Sequence, residues 1–181
     1  ARPASDVDPL GYGGLVVVDT SDLNPTLVAD SRRNPTHERV VAAILDQIGD
    51  DPASASRSVG VLTMYRDQAD AYERLRASRT RPNLTLTATV HRAQGSECDI
   101  AILDLSDAPG RSLPFLSART TIDDGGRLLN VGLTRGRSVI VVANLRDLRR
   151  RAGSAIQGVL ALCTEFGAVV PARDLLPPPS A

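Results

Sequence analysis

Short β-branched runs alternate along the chain with stretches of helical periodicity. Residues 14–20 (GLVVVDT) have the length and composition of a buried strand. After a polar loop, NPTHERVVAAILDQI sets Val40, Val41, Ile44, Leu45 and Ile48 on one helical face, with Asn34 as cap and Pro35 in the first turn. The pattern repeats with a strand over 58–65 (SVGVLTMY) and a polar helix, RDQADAYERLRASR, whose apolar side carries Tyr72 and Leu75. Residues 84–90 and 100–105 read as further strands joined by a polar turn. A long loop follows, then a helical stretch over 127–137 (RLLNVGLTRGR) and a strand over 138–145 (SVIVVANL). One last helix is expected from Arg146 to about Phe166, carrying Leu148, Ala152, Ile156, Val159, Leu160 and Cys163 at helical spacing, before an edge strand in GAVVPARD. Nearly continuous apolar strands alternating with helices predict an α/β fold: a three-layer sandwich with a mostly parallel central sheet and helices on both faces. The expected organisation is a Pro- and Asp-rich linker at 1–13, one domain over 14–171 and a Pro-rich tail at 172–181.

A length of 181 residues suits one domain with a sizeable core, and 42% hydrophobic with 23% charged residues is an ordinary globular balance. No apolar run approaches the roughly 20 residues of a membrane span, and the N-terminus lacks a signal-peptide pattern, which predicts a cytoplasmic location without membrane contact. Cys98, Cys163, His37 and His91 are too few and too scattered for a zinc-ligand spacing or a disulfide framework. The formal net charge is zero, so no global field draws the chain to nucleic acid. All 21 basic residues are arginine. A phosphate-binding loop of the G-x-x-x-x-G-K-[ST] type needs a lysine, so this chain contains none.

In parallel sheets ligands lie beyond the carboxyl ends of the strands, which is where the turn after Val90 is expected. Three polar elements fall at strand ends or after the long loop: VHRAQGSE, LLNVGLTRGR and YRDQ. Each alone is compatible with a tight turn or a solvated helix face; their order and surroundings are more specific.

TVHRAQGSECDIAILDL resembles motif V of superfamily 1 helicases, and RLLNVGLTRGRSVIVVANL resembles motif VI of the same enzymes. VGVLTMYRDQADAYERL is similar to the strand and helix that precede them, usually written with a T-P-Y-x-x-Q core and here reading TMYRDQ. The mixture is similar to the 5′-to-3′ branch: motif V to RecD-like enzymes, motif VI to helicases of the nonsense-mediated-decay type. Such enzymes have two RecA-like domains, and this chain resembles the second. The resemblance implies an ATP-dependent motor on single-stranded DNA or RNA. ATP and Mg²⁺ would be bound mainly by an N-terminal RecA-like partner domain, and this domain would supply an arginine finger.

Carried onto this sequence, Arg135 matches the finger, with Glu97 and Gln94 on the turn that links the γ-phosphate to the strand-binding surface. A carboxylate would repel a triphosphate, so Glu97 is expected to orient an arginine or a water, or to hold the turn. Gly95 is expected to allow close backbone approach, and Arg137 to lie at the nucleotide. Thr89 matches a hydroxyl that contacts the nucleic-acid backbone; His91, Arg92 and Thr63 join it as strand-side candidates.

The pattern departs from the family in three respects. Gly132 and Gly136 stand where alanines are usual, at a cost of about 1 kcal/mol each in a helix interior unless they admit close packing. The decay-type enzymes have an arginine after the asparagine that matches Asn34; here Pro35 follows, leaving Arg33 or Arg66 as substitutes. Aromatic residues make up only 3%, so backbone contacts are expected to dominate strand binding, giving salt-sensitive and sequence-tolerant affinity. The alternative reading is a helicase-like domain that has lost turnover and serves as a nucleic-acid or protein docking module.

Overall fold

Valine, isoleucine and leucine alternate between the two faces of a single sheet whose every pairing is parallel. The computed structural model describes residues 10–25, 28, 32–78, 83–106, 114–117, 119–120 and 123–177. Residues 1–9 of the expected linker at 1–13, residues 178–181 of the tail and much of the long loop after Ser106 lie outside these. The elements run β1 (Leu15–Asp19), α1 (Pro35–Asp50), β2 (Val59–Thr63), α2 (Arg66–Ser78), β3 (Leu84–Thr89), β4 (Cys98–Asp104), α3 (Asp124–Leu133), β5 (Gly136–Ala143), α4 (Leu145–Arg151), α5 (Ser154–Phe166) and β6 (Ala168–Pro171). The strand order is β3-β2-β4-β5-β1-β6. Helices cover both faces, as in a RecA-like three-layer sandwich.

Period-two alternation splits the core in two. Val17, Val139 and Val141 face α3, α4 and α5, whereas Val16, Val18, Ile140 and Val142 face α1 and α2. On α1, Val40, Val41, Ile44, Leu45 and Ile48 are all buried, each contributing about 1.5–3 kcal/mol relative to exposure. Asn34 caps this helix by accepting from the His37 amide at 3.2 Å, and Pro35 occupies the first turn, as the sequence predicts. Packing continues into the expected tail, since Ala172 and Leu175 are buried among the α1-side residues.

Two expectations change. The last helix is not continuous: Ala152 is extended, and the Gly153 amide donates to the Leu116 carbonyl at 2.8 Å instead of to the preceding turn. The chain thereby restarts as α5 with the same apolar spacing. The helix of motif VI ends at Leu133, so Arg135 lies in a turn, while Gly136 and Arg137 open β5.

Both motif VI glycines have packing reasons. A Cβ on Gly132 would stand 2.8 Å from Leu103 Cδ1, so the missing side chain lets α3 lie close on β4. A Cβ on Gly136 would stand 2.4 Å from the Ser138 carbonyl oxygen and 2.7 Å from the Ala101 amide nitrogen, backbone atoms that cannot yield. The softness expected of a glycine-containing helix therefore does not apply to Gly136, which is a strand residue.

Gly136→Ala is expected to destabilise by about 2–3 kcal/mol in urea denaturation. Gly158→Ala, at an exposed position of α5 where a Cβ meets nothing within 4 Å, should stabilise by about 0.5–1 kcal/mol. Equal effects at the two sites would contradict the packing described for β5.

Candidate functional site

The candidate residues fall at two opposite edges of the sheet. Strands β3 and β4 are parallel and lie two positions apart, with β2 between them. The connection over residues 90–97 must therefore start at the carboxyl edge and finish at the amino edge. The seven residues of β4 put these edges about 20 Å apart, and the connection covers this without a regular helix, through turns in which the Ala93 amide donates to the Thr89 carbonyl at 3.1 Å and the Ser96 amide to the Ala93 carbonyl at 3.0 Å. Val90 and Ala93 are buried against the α3–α5 side and anchor the path. Gly95 has φ of 82°, and a Cβ there would meet nothing within 4 Å. Its φ is the left-handed one that glycine adopts readily, and the space beside it, free of protein atoms, is compatible with the close backbone approach expected from sequence. The ligand position expected beyond the carboxyl ends thus holds for the first half of this segment only.

At the amino edge, Ser58, Glu97, Asp99, Thr134, Arg135 and Arg137 line a cleft of about 280 Å³ together with Cys98 and Gly136. The Arg135 guanidinium is folded onto its own chain. Its Nε donates to the Val131 carbonyl at 3.1 Å, Nη1 to the Ser96 carbonyl at 3.4 Å and Nη2 to Thr134 Oγ1 at 3.2 Å. It closes the end of α3 and clips the 90–97 connection to it. Gln94 and Glu97 are exposed beside this clip. Asp99 accepts from the Ser58 amide and hydroxyl at 2.9 and 2.8 Å, which holds its carboxyl below the usual range, with Arg137 Nε 4.0 Å away. Burial pushes the Cys98 thiol up to about 11, so it is not a nucleophile. Two arginines against two carboxylates leave the cleft without net formal charge. It can complete an anion site but does not make one alone.

The carboxyl edge holds Thr63, Thr89, His91 and Arg92, and also Arg33 and Arg66. Arg66, Arg76, Thr89 and Arg92 border a cleft of about 680 Å³ between α2 and β3, with Asp70 and Glu73 on its wall. Arg33 is held by Glu38 through bonds of 3.0 and 2.8 Å. The structure does not bring Arg33 or Arg66 to Arg135; the length of the sheet separates them, so neither joins it at the amino-edge cleft. Thr63 is fully buried and shares a 2.6 Å hydrogen bond with Ser106 Oγ, which corrects its expected availability to a nucleic acid. His91, unpaired in the sequence reading, stands edge-on to Phe115 with ring centroids 6.4 Å apart, and Phe115 also contacts Tyr65 at 5.6 Å.

Sequence reasoning missed the buried polar network beneath this edge. Asp104, fully buried at the end of β4, accepts from His37 Nδ1 at 2.7 Å, the Tyr72 hydroxyl at 2.5 Å, and the Ser106 amide and hydroxyl at 2.7 and 2.9 Å. His37 Nε2 meets Thr20 Oγ1 at 2.9 Å, and Gln68 donates to Tyr72 while accepting from the Asn34 amide at 2.7 Å. Thr20, His37 and Asp104 share the connectivity of an acyl-transfer triad, but Thr20 is 2% exposed, so its hydroxyl is closed to any substrate. The network is a brace joining β1, α1, α2 and β4. Burial pushes the Asp104 carboxyl up, but the charge and hydrogen bond of His37, helped by Tyr72 and Ser106, outweigh burial and hold it below the usual range. The Tyr72 hydroxyl is driven well above its usual value by burial and by Asp104.

A family model described as an AAA domain matches residues 5–146, which takes in both edges and every motif above. No curated protein matches the chain. No described helix is long and apolar enough to cross a membrane.

A lowered folded value means that Asp104 contributes stability above the ordinary carboxylate range and loses it as pH falls through that folded value. Asp104→Asn should cost about 3–5 kcal/mol at neutral pH, because it leaves buried donors around an impaired acceptor. Urea denaturation of both proteins from neutral pH to below 3.8 should show the gap narrowing at the acid end. A gap independent of pH would mean that the carboxylate charge does not carry the stabilisation.

Proposed function

The chain belongs to the AAA-domain family of helicase-like motor domains, and on that premise we propose that it is the C-terminal motor half of an ATP-dependent superfamily 1 helicase or translocase. The branch we infer is the 5′-to-3′ one, with motif V similar to RecD-like enzymes and motif VI similar to the decay-type helicases. One observation carries the reading: the 90–97 connection is tied to Arg135 at one end and leads from Thr89, His91 and Arg92 at the other. A segment this short, without a helix to absorb movement, is suited to relaying nucleotide state at the amino edge to a strand held at the carboxyl edge.

Phosphoryl transfer spreads negative charge over the outer phosphate oxygens, and its catalysis is largely electrostatic. Arg135 would leave its own-chain acceptors and stabilise that charge, a contribution of about 10³ to 10⁵ in rate for related arginine fingers. Arg137 and Thr134 would orient the same oxygens. The neutral balance of the cleft agrees with a partner domain that binds most of the triphosphate. The resemblance assigns the Mg²⁺ ligands to that P-loop-bearing partner as well. ATP bound with Mg²⁺ would supply the transferable phosphoryl group; this chain supplies positive charge and position.

The docking-module alternative drew on Gly132, Gly136 and Pro35. The first two serve close packing, so neither marks lost turnover; Pro35 starts α1 but leaves the amino-edge cleft without a motif IV arginine, since Arg33 and Arg66 lie at the other edge, and this predicts slow or differently triggered hydrolysis.

The test is ATP turnover by a polypeptide joining this domain to a P-loop RecA-like domain, with and without single-stranded DNA or RNA. Arg135→Ala should lower strand-stimulated kcat by a factor of about 10² or more, roughly 2.7 kcal/mol of barrier, with little change in KM for ATP. Turnover absent in the parent protein, or untouched by the substitution, would overturn the reading.

A further inference from the structure

Helix α4 (LRDLRRR) carries four arginines in seven residues. Leu145 and Leu148 form its buried side. Arg146, Arg149 and Arg150, at i, i+3 and i+4, share the opposite, exposed side. Arg151 is held by Asp147, but no carboxylate pairs with the other three guanidinium groups among the described residues. Like charges at this spacing repel along a helix. The helix dipole accounts for basic residues in the last turn but opposes Arg146 in the first. The position of Arg146 and the like-charge spacing of the three therefore run against the local preferences of the helix, while Arg149 and Arg150 agree with its dipole.

Their location gives the reason. α4 leaves β5 directly at the carboxyl edge, and its start is fixed: Asn144 caps it, the Leu145 amide donates to Asp19 Oδ1 at 3.1 Å and the Arg146 amide to Ser21 Oγ at 2.9 Å. Three inter-strand steps separate β5 from β3, a lateral distance of about 14 Å along the same edge; α4 lies on the α3–α5 face and α2 on the other, so a strand joining the two sites also crosses the edge from one face to the other. The lateral part alone takes about four stacked nucleotides. We propose that the Arg146, Arg149 and Arg150 face is a second phosphate-contacting site, and that a single strand lies across the carboxyl edge from β3 to α4. This rests on the strand-binding part of the reading above. An anionic bilayer fits less well, because the apolar side of α4 is buried in the core and offers nothing to enter the lipid.

The experiment titrates the full chain with labelled oligothymidylate and oligouridylate of about 16 nucleotides over a range of KCl concentrations. The wild-type protein is compared with the triple variant Arg146→Gln, Arg149→Gln, Arg150→Gln and with Arg146→Gln alone. The slope of log K against log salt should fall by about 2 for the triple variant and about 0.7 for the single one, since each lost phosphate contact on a single strand removes about 0.7. Binding at low salt should weaken tenfold or more for the triple variant, with an unchanged thermal midpoint. Unchanged slope and affinity in the triple variant, beside a wild type that binds, would overturn this site and leave the wider reading intact. A wild type that binds neither oligomer would overturn both. Loss of binding to anionic phosphatidylglycerol vesicles, with oligomer binding unaffected, would assign the arginine face to lipid and also overturn the proposal.

Discussion

In an all-parallel sheet every connection has to carry the chain from the carboxyl edge back to the amino edge. Most connections here do so with a helix, which adds a layer to the sandwich. The link from β3 to β4 does it with eight residues, held by Val90 and Ala93 in the core and turned at Gly95. That constraint sets the layout of the domain. It puts Thr89, His91 and Arg92 on one edge and Glu97 on the other, and it delivers Ser96 to Arg135. A helix in this position would insulate the two edges from each other. A short, partly buried segment cannot move at one end without altering its path at the other.

The carboxyl edge is kept rigid by a different device. Asp104 gathers donors from α1, α2 and Ser106, two residues beyond the end of β4, and Ser106 is held at φ of 51°, a left-handed conformation rare for serine, by two bonds to that carboxylate. The low-dielectric surroundings make each bond count for more, and they make the brace dependent on full satisfaction of the carboxylate. Thr63 is drawn into the same arrangement through Ser106. The surface above it is therefore presented by backbone and side chains with little freedom.

The alternation of strand and helix was legible in the sequence because burial on both faces leaves unbroken apolar runs, and the cap at Asn34 was legible because it is local. The end of α3 was not. Gly136 belongs to a strand because Ala101 lies against it, a tertiary fact that helical spacing in LLNVGLTRGR conceals. The break between α4 and α5 escaped for the same reason, since apolar spacing runs through Ala152 while the interruption comes from a hydrogen bond to Leu116. Of the candidate residues, the ends of the motif V segment were identified by type, but their separation to opposite edges depends on which strand β4 joins. Arg33 and Arg66 are substitutes for the motif IV arginine by their place in the sequence, and topology parts them from Arg135. Asp104 gave a faint signal, a single carboxylate inside IAILDL, whose partners at 37 and 72 no local pattern connects.

The resting contacts of Arg135 also act as a threshold. Its three nitrogens are bonded to uncharged oxygens of Val131, Ser96 and Thr134 at 3.1 to 3.4 Å, the long end of the hydrogen-bond range. At about 0.5–1 kcal/mol net for each such bond, releasing the side chain costs roughly 2 kcal/mol before any anion is gained. An ion of single charge in water recovers little of this, whereas a polyanion in a closed cleft recovers it several times over. Under the proposed function, the folded-back side chain would thus filter by charge density, passing over dilute anions and answering to one presented at close range.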